Sequence, residues 1–288
     1  MHPIERLRVV ARGEGEDPGV IAQEAAAILA ACADDPAGLV TGCRRLVDHQ
    51  PAVGPVWWLA ARVLGSPEPE AEAWRSAEEL ERDPTVAALA YHLPDDTCVA
   101  VVGWPEQAGV ALRRRGDCRV LVVDALGGAI AGHGQGTRLA AYLRRVGRAA
   151  VLGPESGLGG AVGASELVLL EATAMGPTGF VAAAGSLAAA AVARHLGTPV
   201  WVVAGVGRVL PAALWDALTS RLAESGDAWE EPEEVVPLNL ADRVVGPDGP
   251  ASPEEASGRA DCPPVPELLR RGSAPGSRGA EGPERPGR

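Results

Sequence analysis

Cys98-Val99-Ala100-Val101-Val102-Gly103 is the stretch on which the fold turns. It is a continuous apolar run, closed in front by Asp95-Asp96 and behind by Gly103-Trp104-Pro105, without the alternation of a half-exposed strand. A strand buried on both faces reads this way, as in a parallel sheet covered by helices. Similar runs recur at 119–124, 149–152, 166–170 and 199–204. Helical patterns lie between or after them, at 105–115, 136–146, 179–195 and 211–222. Strand alternating with helix at this spacing predicts an open parallel α/β sheet of Rossmann-like type.

Upstream the period is helical. Ile21, Ala25, Ile28, Leu29 and Cys32 form one apolar stripe, and Leu39, Val40, Cys43, Leu46 and Val47 a second. Further helices are expected at 56–63 and 70–81, with Trp57 and Trp58 as packing anchors, since neighbours on a helix do not share a face. From Gly246 onward the chain is rich in Pro, Gly, Ser and charge. The expected organisation is a helical domain over 1–93, the α/β domain over 94–245, and a largely disordered tail over 246–288.

The chain has 288 residues, 47% of them apolar, and a formal net charge of −12. Its positive charge is all arginine, for there is no lysine, and Asn239 is the one asparagine. Lysine-dependent chemistry is thereby excluded, both the Schiff base and the phosphate-binding loop. The acidic balance argues against nucleic acid as a partner, and Arg113-Arg114-Arg115 reads as a solvated helix end. Five scattered cysteines, Cys32, Cys43, Cys98, Cys118 and Cys262, show no paired or zinc-ligand spacing. They fit a reducing compartment, and no metal or other cofactor is expected. The sequence has no charged-then-apolar leader and no apolar run of the roughly 18 residues a membrane span needs. A cytoplasmic location without a membrane partner is expected.

In an open parallel sheet the ligand crevice lies at the carboxyl ends of the strands. Candidate ligand contacts there are Gly103, Asp124, His133, Gln135, Gly136, Glu155, Ser156, Thr178 and Gly179. Gly136 and Gly179 each lead into an expected long helix, where backbone amides hold an anion without lysine. Glycines equally serve plain tight turns, Gln135 and Ser156 equally serve turn and cap chemistry, and His133 reads either as a ligand contact or as a solvent-exposed side chain. His195 reads as a dipole contact at a helix C-terminus. The glycine spacing does not match a dinucleotide fingerprint.

The loop order carries a family resemblance. Asp124-Ala125-Leu126 ends a strand, Gly134-Gln135-Gly136 opens a helix, Glu155-Ser156 follows the next strand, and Gly176 to Ser186 leads to the helix ending near His195. This resembles the alpha, beta and delta subunits of eukaryotic initiation factor 2B, together with methylthioribose-1-phosphate isomerase and ribose-1,5-bisphosphate isomerase. The resemblance implies an N-terminal helical domain, a Rossmann-like domain of the NagB/RpiA/CoA-transferase type, a phosphorylated sugar or nucleotide as ligand, and a homodimer. The departures are chemical. The place of the isomerase cysteine falls at Val102-Gly103, with Cys98 too early in the strand, and the isomerase aspartate falls on Ala172, one residue from Glu171. The family's Asn-Lys pair becomes Ala182-Ala183 and its loop arginine becomes Leu126.

Moving a proton between adjacent carbons of an aldose phosphate needs a positioned acid and base. Glu171 is the one catalytic candidate, desolvated by the apolar run before it; its alternative role is to cap a loop or pair with an arginine such as Arg208. The expectation is therefore a catalytically divergent protein that binds a phosphorylated sugar or nucleotide. An isomerase working through Glu171 and a regulatory interaction subunit are the alternatives.

Overall fold

The computed structural model describes residues 18–125, 134–224, 227 and 230–269. Five helices come first: α1 (Pro18–Ala30), α2 (Pro36–His49), α3 (Gly54–Gly65), α4 (Pro69–Glu81) and α5 (Thr85–His92). Proline stands in the first turn of α2, α3 and α4, where its missing amide costs nothing. The sheet region then runs β1 (Cys98–Val102), α6 (Glu106–Arg114), β2 (Arg119–Val123), α7 (Gln135–Arg145), β3 (Ala149–Gly153), α8 (Leu158–Gly163) and β4 (Leu167–Glu171). It continues with β5 (Ala174–Met175), β6 (Gly179–Ala183), α9 (Ser186–Leu196), β7 (Val200–Val203), α10 (Ala212–Leu222), β8 (Glu233–Pro237), β9 (Arg243–Gly246) and β10 (Gly249–Ala251). Two short helices, α11 (Pro253–Ser257) and α12 (Pro266–Leu269), close the described chain.

Seven strands form the main sheet in the order β10-β9-β7-β4-β1-β2-β3, all parallel except β10. The chain winds outward from β1 to β3, returns, and winds the other way from β4, so the strand order reverses between β1 and β4. That reversal opens a crevice at their carboxyl ends. The apolar runs of β1, β2 and β4 are buried because helices cover both faces.

The expected helix over 179–195 is corrected at its start. Gly179–Ala183 is a strand, paired antiparallel with β8 and, at its first residues, with β5 in a second sheet of three strands. Phe180 and Val181 prefer a pleated surface and are fully buried in it. The helix begins only at Ser186, after Gly185 turns the chain at φ +95°.

The tail expectation is corrected for residues 246–269. Gly246 ends β9 and Gly249–Ala251 adds the antiparallel edge strand. Ser252 caps α11 through a reciprocal capping box with Glu255. Cys262, Val265 and Leu268 then enter the same core as Trp57, Trp58 and Leu59 of α3 and Trp215 of α10. Arg44 Nε donates to the Glu267 carbonyl at 2.7 Å, Arg221 Nη2 to the Leu268 carbonyl at 3.0 Å, and Trp58 Nε1 to Asp261 at 2.6 Å. Composition hid this because the closing apolar residues are few and spaced among prolines. The helical layer is thus completed by chain from both ends and does not close its core over 1–93 alone.

Arg115 also departs from a solvated helix end. Its side chain is 14% exposed and donates to the Leu93 carbonyl at 2.6 Å and to Asp95 and Asp117. Among the described residues no helix is long and apolar enough to cross a membrane, and no group of three or more His, Cys, Asp or Glu could hold a metal ion.

Leu268→Ala, at a fully buried position within a stretch expected to be loose, should cost about 2–4 kcal/mol in urea unfolding. A loss below about 0.5 kcal/mol, the usual size for a surface change, would mean that α12 does not belong to the core.

Candidate functional site: the crevice at the strand ends

The crevice is built by turns that follow β1, β2 and β6. Gly103 leaves β1 at φ +65°, a conformation that suits glycine, and its amide donates to the Val123 carbonyl at 2.9 Å. A Cβ placed on Gly103 would stand 3.5 Å from Ala125, 3.8 Å from Ala183 and 3.9 Å from Gln135 Oε1. Gly103, Gln135 and Ala183 therefore meet in space. Gly134 and Gly136 are there for close approach: a Cβ on Gly134 would overlap the Asp124 carboxylate, and one on Gly136 would lie 2.8 Å from the Asp124 Cα.

Asp124 is held in turn. Its carboxylate accepts from the Thr137 amide at 3.2 Å and from the Thr137 hydroxyl at 2.9 Å. Thr137 is the third residue of α7, so this aspartate caps a helix start from outside the helix. The same arrangement occurs twice more. Glu171 Oε2 accepts from the amide of Ala108, the third residue of α6, at 3.0 Å, and Glu234 Oε1 accepts from the amide of Leu187, the second residue of α9, at 2.8 Å. Three helix starts beside the sheet thus each receive a carboxylate from a strand end or a neighbouring strand.

Glu171 is bound on its other oxygen as well. Arg208 Nη1 donates to Oε1 at 2.8 Å and to the Ala172 carbonyl at 2.7 Å, with the two side chains 8% and 2% exposed. Both carboxylate oxygens are engaged, so this residue takes the pairing and capping role that the sequence left open. Ala172, at the place of the isomerase aspartate, is fully buried, and Cys98 begins β1 at the edge remote from the crevice.

The remaining expected contacts lie elsewhere. Glu155 and Ser156 sit in an exposed single turn after the edge strand β3. Thr178 accepts from Trp215 Nε1 at 2.8 Å, and a Cβ on Gly179 would stand 2.7 Å from the Val236 carbonyl. Those two serve the small sheet and do not open a helix. His133 and Leu126 lie outside the described residues.

Sequence reading missed Glu233 and Glu234, whose run from Glu230 to Glu234 looks like a solvated charge cluster. Glu233 stands directly opposite Ala183 in the antiparallel pair β6–β8, on the face that looks toward Gly103. Burial, helped by the nearby Glu231, pushes its carboxyl up to about 7. A carboxyl raised on folding holds its proton where the unfolded chain has lost it, so stability falls as pH rises from the ordinary carboxylate value to about 7 and then levels. Glu233→Gln should therefore gain on the wild type in melting temperature between about pH 5 and pH 8. An unchanged difference across that range would remove Glu233 from the buried face.

No protein-family model matches the sequence, and no curated protein matches it. Solved structures do match. A translation initiation factor eIF-2B from Pyrococcus horikoshii OT3 superposes with a TM-score of 0.71 at 13% identity, covering 88% of this chain and 98% of that one. A chain of the tetrameric eIF2B-beta2-delta2 complex from C. thermophilum gives 0.72 at 17% identity, over 89% and 92%. The 5-methylthioribose 1-phosphate isomerase of Pyrococcus horikoshii OT3 gives 0.59 at 15% identity, over 89% and 86%. This chain therefore has the fold shared by initiation factor 2B subunits and 5-methylthioribose 1-phosphate isomerase.

Proposed function

We propose that this protein is a catalytically silent counterpart of the isomerases, acting as the initiation factor 2B subunits do, through assembly with other chains. The observation that carries this reading is the engagement of Glu171 by both Arg208 and the α6 amide. A general base must be free to reach a substrate proton, and both oxygens of Glu171 are already held by the chain's own donors, one by a buried guanidinium that would have to be left behind. The capped starts of α7 and α9 argue the same way about phosphate: a dianion arriving there meets Asp124 or Glu234 at short range, where like charges repel. A phosphorylated sugar or nucleotide, the ligand the family resemblance implies, would have to displace one of these carboxylates.

A second copy of this chain is the proposed partner. Leu187, Ala188 and Ala191 form an exposed stripe on α9, with Leu196 at its end and Val235 on the neighbouring β8, a combination of apolar side chains that assembly would cover. Such a dimer, in a soluble and cytoplasmic setting, agrees with the oligomeric eIF2B complex among the structural matches.

Three outcomes test these readings. Methylthioribose 1-phosphate and ribose 1,5-bisphosphate should each stay unconverted beyond the no-protein rate when products are analysed; conversion that Glu171→Gln abolishes would establish the isomerase alternative. Arg208→Ala should cost about 3–5 kcal/mol in denaturant unfolding, because it strands a buried carboxylate; a cost near zero would leave Glu171 free for other work. Light scattering after gel filtration should give twice the chain mass for the wild type and the single mass for Ala191→Arg. A monomeric wild type would sink the dimer.

A further inference from the structure

The acidity of the chain is unevenly spread. Residues 104–153 carry eight of the 26 arginines and three of the 38 acids, a local charge of +5 in a chain of −12. Most of it stands on α6 and α7, which lie side by side and share one core through Ala108, Leu112, Leu139 and Leu143. The two helices bring five arginines, Arg113, Arg114, Arg138, Arg144 and Arg145, and one acid, Glu106. All five arginines are exposed, and among the described residues none of them reaches a carboxylate. Arg115, just past α6, is the one that pairs, with Asp95 and Asp117.

Two aromatic rings stand among these cations. Trp104, in the turn after β1, and Tyr142, on α7, meet with their centroids 5.7 Å apart. The Arg138 guanidinium lies over Trp104 at 5.3 Å and that of Arg113 over Tyr142 at 5.8 Å, while Arg113 Nη1 donates to the Tyr142 hydroxyl at 3.1 Å. The contacts form one row from Arg138 through Trp104 and Tyr142 to Arg113, across the seam between the helices, and Arg145 follows one turn beyond Tyr142 on the same side of α7. The helix dipole accounts for the arginines in the last turns, but not for Arg138, which stands at the amino end of α7, where a cation is disfavoured. The Trp104 ring fixes the plane of that guanidinium and consumes none of its N–H donors, which no acceptor among the described residues takes. An arginine held in this way offers a planar fork to an anion at reduced entropic cost.

We propose that the α6–α7 face binds a single-stranded nucleic acid, its phosphates on the guanidinium edges of Arg113, Arg138 and Arg145 and its unpaired bases on the guanidinium planes that end the row. The acidity that argues against such a partner for the chain as a whole is absent from this face. Arginines interleaved with aromatic rings hold strands without reading their sequence, and unpaired bases stack on guanidinium planes. An acidic peptide would use the same donors but brings no ring to extend the stack, and a duplex keeps its bases inside. The acidic surface around the face opposes a long polyanion, so the footprint is short and the binding depends strongly on salt.

Fluorescence anisotropy with labelled oligouridylate and oligoadenylate strands tests this on the full chain. Both strands should bind at about 100 μM or tighter in low salt, and the logarithm of the binding constant should fall against that of salt with a slope of about −2, for three phosphates at about 0.7 each. Arg138→Gln should weaken binding about tenfold, the worth of one hydrogen bond to a charged group, and bring the slope to about −1.4. Tyr142→Leu keeps every charge, so it should keep the slope and weaken binding about threefold as the guanidinium planes lose their support. Arg82→Gln, on the helical layer, should change nothing. Absence of binding, binding that survives Arg113→Gln and Arg138→Gln together, wild-type affinity in Tyr142→Leu, or equal displacement by polyglutamate or by a duplex would each overturn the proposal. Neither turnover nor subunit mass enters this test, so its outcome is separate from that of the assembly reading.

Discussion

The contact between Glu171 and Arg208 holds the centre of the molecule. It lies where the strand order of the main sheet reverses, and it joins three pieces of chain: the end of β4 with the Ala172 carbonyl that follows it, the start of α6 and the turn after β7. The Arg208 backbone adds a fourth, since its carbonyl accepts from the Met175 amide at 2.7 Å and so anchors β5 of the small sheet. A buried ion pair of this kind repays its desolvation only when its other hydrogen-bonding positions are met. Here the α6 amide and the Ala172 carbonyl meet them. In a doubly wound sheet this is also the place where a ligand would enter, so what stabilises the fold occupies what an active site would use.

Asp124 and Glu234 extend the same logic outward. A helix start carries unpaired amides and a partial positive charge, and something must satisfy both. In a sugar-phosphate site a ligand can do so during turnover. In this chain strand-borne carboxylates do so permanently, each contributing about 0.3–1 kcal/mol or somewhat more where partly buried. Glycine at 134 and 136 lets the backbone close in on Asp124, and glycine at 103 supplies the positive φ of the turn after β1.

The parallel sheet was legible because the runs around 98–103 and 119–124 have one period and one meaning. Helices α1 to α4 were legible for the same reason, and Trp57 and Trp58 are both fully buried, as neighbouring positions on two packed faces should be. The departures have local causes. Gly179-Phe180-Val181-Ala182-Ala183 precedes an alanine-rich helix without a break in composition, and only pairing with β8, far along the chain, decides for strand. Residues 246–269 resemble a linker because their order comes from a hairpin, a capping box and three apolar side chains, each contributing little periodicity. The candidate contacts Gly103, Asp124, Gln135 and Gly136 do converge, whereas Thr178 and Gly179 face Trp215 and β8. No sequence pattern marks a carboxylate that caps a helix from another element, so the roles of Asp124 and Glu234 became visible only in three dimensions.

The central claim is that the chain's own carboxylates fill the anion positions of the crevice. Calorimetric titration of methylthioribose 1-phosphate into the wild type and into Asp124→Asn and Glu234→Gln tests it most directly. Removing a negative charge at a helix start while keeping the side chain's shape should let phosphate in, so the account predicts negligible binding to the wild type and measurable binding to at least one variant. Tight binding to the wild type, weakened or unchanged in the variants, would contradict it.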